Sequence, residues 1–226
     1  MTEPAYVEIG KRYSYAGALE WPGWCRHAKA GGDAVAALAA YGARYRDALA
    51  LSGITFDPPA DASGLEVVEH HEGDSGIEYG IPSVVPEADR RALDEVSVAR
   101  LVAILQACWS AFDKAAQDAI GHELRKGPRG GGRDLDGTIE HLIESDVAYL
   151  SKLGARKPRI ENGDRQLLLA ALRARALGTF RARALGQPIE EPSRARELWP
   201  PRFYVSHAAW HALHHAWEIE DRVVVR

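Results

Sequence analysis

No stretch of the 226 residues approaches the roughly 18 consecutive apolar residues that a membrane span requires, so no membrane association is expected. The opening Met1-Thr2-Glu3-Pro4-Ala5 lacks the basic start and apolar core of a signal peptide. Cysteine is scarce: Cys25 and Cys108 lie far apart in apolar or aromatic contexts and read as buried free thiols, not as a disulfide framework. These absences together predict a cytoplasmic protein. An excess of positive charge is missing too. Twenty-eight Lys and Arg stand against 32 Asp and Glu, for a net charge of -4, which favours solubility and gives no electrostatic basis for nucleic-acid binding. The local arginines Arg173, Arg175, Arg181 and Arg183 are expected on a solvated helix face.

What is present divides the chain in two. Tyr6 to Ile9 and Tyr15 to Glu20 alternate as strands do, and Trp21-Pro22-Gly23-Trp24 is turn chemistry. After Gly31-Gly32, Asp33 is a candidate N-cap for an alanine-rich helix reaching about Leu51, and Leu65 to His70 alternates as a third strand. A small α/β layer of order strand, strand, helix, strand is therefore expected over residues 1–80. Residues 73–92 hold Gly, Pro, Ser and acidic residues without a period and are read as a linker.

From about Arg90 the spacing turns helical: Leu101, Leu105, Cys108, Trp109, Phe112 and Ala116 recur at three- and four-residue steps. Pro128-Arg129-Gly130-Gly131-Gly132 reads as a loop. A second helix opens near Asp134, carries Leu135, Ile139, Leu142, Ile143, Leu150 and Leu153, and closes at Gly154. Gly163-Asp164 starts a third, through Leu168, Leu172, Ala176 and Phe180, and a fourth runs from about Arg202 to Arg222. Helices joined by loops shorter than themselves pack most simply as a bundle. The expected fold class is α+β, with a four-helix bundle over residues 90–226 behind the small layer.

Histidine is concentrated in the last helix. At about 100° per residue, Tyr204, His207, His211, His215, Glu218 and Arg222 line one face. Residues four apart on a helix have neighbouring side chains, so His211 and His215 can take adjacent positions around one metal ion. A polar face on a terminal helix is also what a solvent face looks like. Repeated His instead of Lys and Glu, and a further candidate ligand in His141 on the second helix, favour metal. His141 lies off its own helix's apolar stripe, so it faces either a neighbouring helix or solvent. His27, His70, His71 and His122 are assigned surface or turn roles.

His141-Leu142-Ile143-Glu144-Ser145-Asp146-Val147-Ala148-Tyr149-Leu150 resembles the second helix of the DinB-like family, and Trp210 to Arg222 resembles that family's last helix. The resemblance covers about residues 90–226 and implies a four-helix bundle in which His141, His211 and His215 bind a divalent metal, zinc first and nickel second. Where many members follow the last histidine with glycine-glutamine, this chain has Trp217-Glu218. Tyr15 to Leu19, the Trp21–Cys25 turn and the helix from Asp33 resemble the small HicB-like antitoxin domain.

The DinB-like resemblance implies a metal-dependent enzyme acting on a small-molecule substrate, such as a transferase using a low-molecular-weight thiol. Three imidazoles leave a metal an open coordination position, and Glu218, one turn beyond His215, is the candidate catalytic group, orienting a ligand or acting as base. Its alternative role is an exposed partner for Arg222. The competing reading is a non-catalytic binding or regulatory protein, with the HicB-like module engaging a partner; a homodimer is left open. A purely structural zinc site is a third reading, in which His207 would have to supply a fourth ligand.

Overall fold

The computed structural model describes residues 2–29, 32–50, 52–126, 131–160, 164–189 and 191–224. Strands β1 (Glu3–Ile9), β2 (Tyr13–Ala18), β3 (Cys25–Lys29) and β4 (Leu65–Glu72) form one sheet of order β3-β2-β1-β4. β1 pairs antiparallel with β2, with Ala5 opposite Ala18, and parallel with β4. The expected layer lacked β3. Its sequence Cys-Arg-His-Ala-Lys has no apolar alternation, and pairing with β2, from Gly17↔Cys25 to Tyr13↔Lys29, recruits it. His27 thus sits half-buried on a strand between the Tyr13 and Tyr15 rings, 5.6 and 5.3 Å away, and not in a turn.

Asp33 caps a helix as expected, its Oδ1 accepting from the Val35 and Ala36 amides at 2.9 Å. The run then breaks at Tyr41 into α1 (Ala34–Ala40) and α2 (Gly42–Ala50). At Gly42 a Cβ would stand 2.6 Å from that of Pro58, so the break lies where the returning chain touches the helix. Gly31 and Leu51 lie outside the described residues. Residues 73–92 are tied down more firmly than a linker. They hold α3 (Ser75–Glu78) and a 3-10 turn (Glu87–Arg90). Fully buried Glu8 accepts from Ser83 N and Oγ at 3.1 and 3.0 Å, the Tyr15 hydroxyl donates to the Gly80 carbonyl, and Ile77 packs with Tyr15, Cys25 and Trp210.

Four long helices follow: α4 (Glu95–Asp118), α5 (Leu135–Leu153), α6 (Arg165–Ala184) and α7 (Pro201–Arg222). Asp94, Asp134 and Asp164 cap the first three by accepting first-turn amide hydrogens. Proline opens α7, where the missing N–H would have had no partner. Gly154, at φ 111°, ends α5 in the left-handed conformation. Pro128–Gly130 and Gly163 lie outside the described residues. By length and composition α4 could cross a membrane; its apolar residues pack here against α7 and α2.

Three of the four arginines expected on a solvated face behave otherwise. Arg173 clamps Asp113 of α4 with two bonds of 2.6 and 2.9 Å and lies over Trp109. Arg175 pairs with Glu191, and Arg183 donates to the Leu153 and Trp199 carbonyls. Only Arg181 is exposed without a side-chain partner among the described residues. Neighbouring elements supply acceptors that the local sequence does not reveal.

The molecule is mixed α+β, a four-stranded sheet and, among the described residues, seven helices. Most of its apolar interior is one buried cluster, in which Trp24, Leu38 and Tyr45 join Leu105 and Phe112 of α4 and Leu213 of α7, with a smaller one around Tyr15, Ile77 and Trp210. Trp24 Nε1 donates to the Leu38 carbonyl at 2.9 Å and the Tyr45 hydroxyl to that of Pro22 at 2.8 Å. Gly23, at φ 91°, brings the turn so near α7 that a Cβ would fall 2.9 Å from the Ala209 Cβ. Arg202 of α7 adds a polar tie, donating to the Leu19 carbonyl and pairing with Asp89 and Glu20.

Candidate metal centre

α7 is buried nearly all round, with the sheet-side turn and α4 on one side and α5 on another. The face that read equally well as solvent-exposed is therefore interior: His207, His211 and His215 are 5%, 4% and 5% exposed. His141 of α5, half-buried, turns toward α7. Its Nε2 lies 3.3 Å from His211 Nε2, which in turn lies 3.2 Å from His215 Nε2. One nitrogen from each of the three falls within 4.8 Å of the others. The rings meet edge to face, at interplanar angles of 69°, 83° and 90°, so nitrogens and not ring faces converge.

The protonation pattern follows from the surroundings. Burial, reinforced by Arg133 and His215, holds the His141 pKa below its ordinary value, and burial drives that of His211 well below. Both shifts favour the neutral ring. Glu218 Oε2 sits 2.9 Å from His215 Nδ1, which makes that nitrogen the donor and leaves the Nε2 lone pair aimed at the cluster. The other oxygen, Oε1, accepts from Arg222 at 2.7 Å. Bonding to His215, with Arg222 behind it, keeps the Glu218 carboxyl well below the usual carboxylate range. Glu218 thus has both expected contacts, and neither oxygen is left free.

The donor set fits a divalent ion. Nitrogens bound at about 2.0–2.1 Å around a tetrahedral ion lie roughly 3.3–3.4 Å apart, against the 3.2 and 3.3 Å found here. Without an ion, one N–H on His211 Nε2 could satisfy only one of its two imidazole neighbours, and His211 Nδ1 is already buried without a partner. Three imidazoles turned inward in this way present lone pairs to a common point, which a cation satisfies.

His207 stays out of the cluster, packed between the rings of Tyr149 and Trp199 at 4.9 and 4.8 Å. Burial lowers its pKa to about 4. Sequence reasoning left out His214, which lies about 100° round the helix from His215. Its ring is 5.1 Å from that of His215, and with His215 and Glu218 it forms a second set of donors within 4.8 Å. His71 pairs with Glu69 at 2.9 Å, while His122 occupies the exposed turn after α4. Cys25 and Cys108 are buried free thiols, and burial pushes the Cys25 pKa up to about 12. No protein-family model matches the chain, and neither does any curated protein or solved structure.

Proposed function

We propose that the chain is a DinB-like metal-dependent protein in which His141, His211 and His215 hold one divalent ion, zinc first and nickel second. The reading extends to an enzyme working on a small molecule, with thiol-dependent transfer as the reaction class. The observation that carries it is the convergence of three Nε2 atoms, two of the contacts being 3.2 and 3.3 Å, from two facing helices. A divalent ion on three imidazoles supplies a Lewis acid with an open coordination position for a thiolate or water. The chain's own residues do the positioning. Glu218 fixes the tautomer and ring direction of His215, and Arg222 holds Glu218. Both contacts give Glu218 a positioning role in this reading. Tyr149, its ring 5.4 Å from that of His211, limits the rotation of that imidazole.

Metal analysis of protein purified without a histidine tag tests this reading. About one equivalent of zinc or nickel is expected, with a melting temperature that falls on chelation because a native-state ligand has been withdrawn. His211→Ala should lose both the metal and the chelator sensitivity. No bound metal after reconstitution with either ion would sink the proposal and favour the binding-protein reading.

A further inference from the structure

On the sheet-facing side of α7 one guanidinium has aromatic contacts and, among the described residues, no ion pair. Arg26 projects from β3, its Cζ 3.7 Å from the Tyr41 ring centroid and 5.4 Å from that of Trp217. Arg44 approaches the same two rings, at 5.3 and 5.6 Å, and is neutralised by Glu220 and Asp221 at 2.5 and 3.0 Å. Arg26 has no ion pair among the described residues, and its Nε is buried without a partner. Asp221 is already held by two contacts from Arg44, at 3.0 and 3.2 Å.

The stacking geometry decides what is left over. A guanidinium lying on an aromatic ring spends its flat face on the contact, and its N–H donors point outward in the plane. That edge matches two oxygens of a carboxylate or phosphate. Desolvating a permanent cation without an anion is unfavourable, and here a second cation, Arg44, shares the same rings. His214 stands on the same stretch of α7, one turn before Trp217, and its ring neighbours that of His215. Round the helix, His214 thus lies between Trp217 of the aromatic stack and His215 of the histidine cluster.

We propose that Arg26 is the receiving group of an oxyanion site, taking the carboxylate or phosphate end of a small ligand against Tyr41 and Trp217. The site stands on Arg26 and its rings alone; that its ligand is also the substrate of the histidine cluster rests on the metal reading above.

The full chain is titrated with inorganic phosphate and, separately, with acetate at constant ionic strength. Tryptophan fluorescence and the melting temperature are followed, first after chelation and then after zinc loading. A saturable response is expected from at least one anion, and the stronger one identifies the chemistry of the ligand's end. Arg26→Gln should weaken it by about tenfold or more, the loss of a charged bidentate contact. Arg26→Lys, which keeps the charge without the fork, should bind more weakly than the parent and covers the case in which Arg26→Gln does not fold. No saturation by either anion, or a response unaltered by the substitutions, overturns the site. An Arg26-dependent response in a protein that never takes up metal would leave the site standing and sink only the metal reading.

Discussion

α6 and α7 are nearly equal in length, 20 and 22 residues, and both are rich in basic side chains, yet they solve opposite problems. Four residues of α6 are buried against fifteen of α7, so α6 is a flank and α7 the axis of the molecule. The difference lies in the kind of base each carries. A guanidinium stays charged at any attainable pH, and the arginines of α6 reach outward to Asp113, Glu191 and peptide carbonyls. An imidazole can shed its proton. On α7 His207 and His211 do so under burial and enter the interior as neutral donors or acceptors. Polar composition alone does not tell a surface helix from a central one: α7 buries imidazoles that can become neutral, and buries Arg202 only with acceptors supplied by Asp89, Glu20 and the Leu19 carbonyl.

The largest effect should come from removing what covers α7. A chain beginning at Pro86 lacks Trp24, Leu38, Tyr45 and Phe56, all in the common core, and uncovers Ala209 and Leu213, where Gly23 packs. We expect it to lose cooperative thermal unfolding by circular dichroism. A truncated chain that melts cooperatively with full helical signal would show that the two regions are independently stable and that α7 needs only its sister helices.

A smaller effect is expected at the support of the cluster. Glu218→Gln keeps the shape but weakens the hold on His215 Nδ1–H and on Arg222. Zinc affinity measured by competition with a chromophoric chelator should fall about 10- to 100-fold, with the helical content intact. An unchanged affinity would reduce Glu218 to a partner of Arg222.

On α5 sits Asp146, buried, its Oδ2 without a partner. Burial raises its pKa to about 7, with Arg173 opposing. A carboxyl whose pKa is raised on folding favours the native state only while protonated. Stability should therefore decline as pH rises from about 4 to about 7 and level off above. Asp146→Asn should flatten that dependence and raise stability at pH 8, by on the order of 2 kcal/mol. Urea unfolding at pH 5 and pH 8 measures it; equal slopes with pH in parent and variant would refute the assignment.

The smallest effects separate the arginines of α6. Arg173→Met breaks the fork on Asp113 and should cost about 1 kcal/mol, because Asp113 is half exposed. Arg181→Ala, on the exposed side, should stay within about 0.5 kcal/mol of the parent. Equal losses would mean that α6 is a solvated face after all.

The sequence was most legible where a local rule acts alone. Asp134 and Asp164 announce helix starts and Gly154 an end, whereas the start at Asp94 was placed a few residues early, at about Arg90, and the spacing of His211 and His215 places them side by side. It was silent where a distant segment decides. β3 exists through its pairing with β2, and α1 and α2 part where Pro58 returns to touch Gly42. The stack of Arg26 on Tyr41 and Trp217 joins three segments that no periodicity connects. The inward turn of His141 belongs to this second kind, since its place off the apolar stripe acquires meaning only once α7 lies alongside.

α7 also follows every other described element in the sequence. During vectorial synthesis the pairing of β1 with β4 must wait for β4, and His211 meets a His141 made 70 residues earlier. The nascent chain therefore carries the alanine-rich and aromatic surfaces that pack on α7 open until α7 emerges. A single centrally buried element thus sets the order of assembly, and the histidine cluster can form only once α7 has been made.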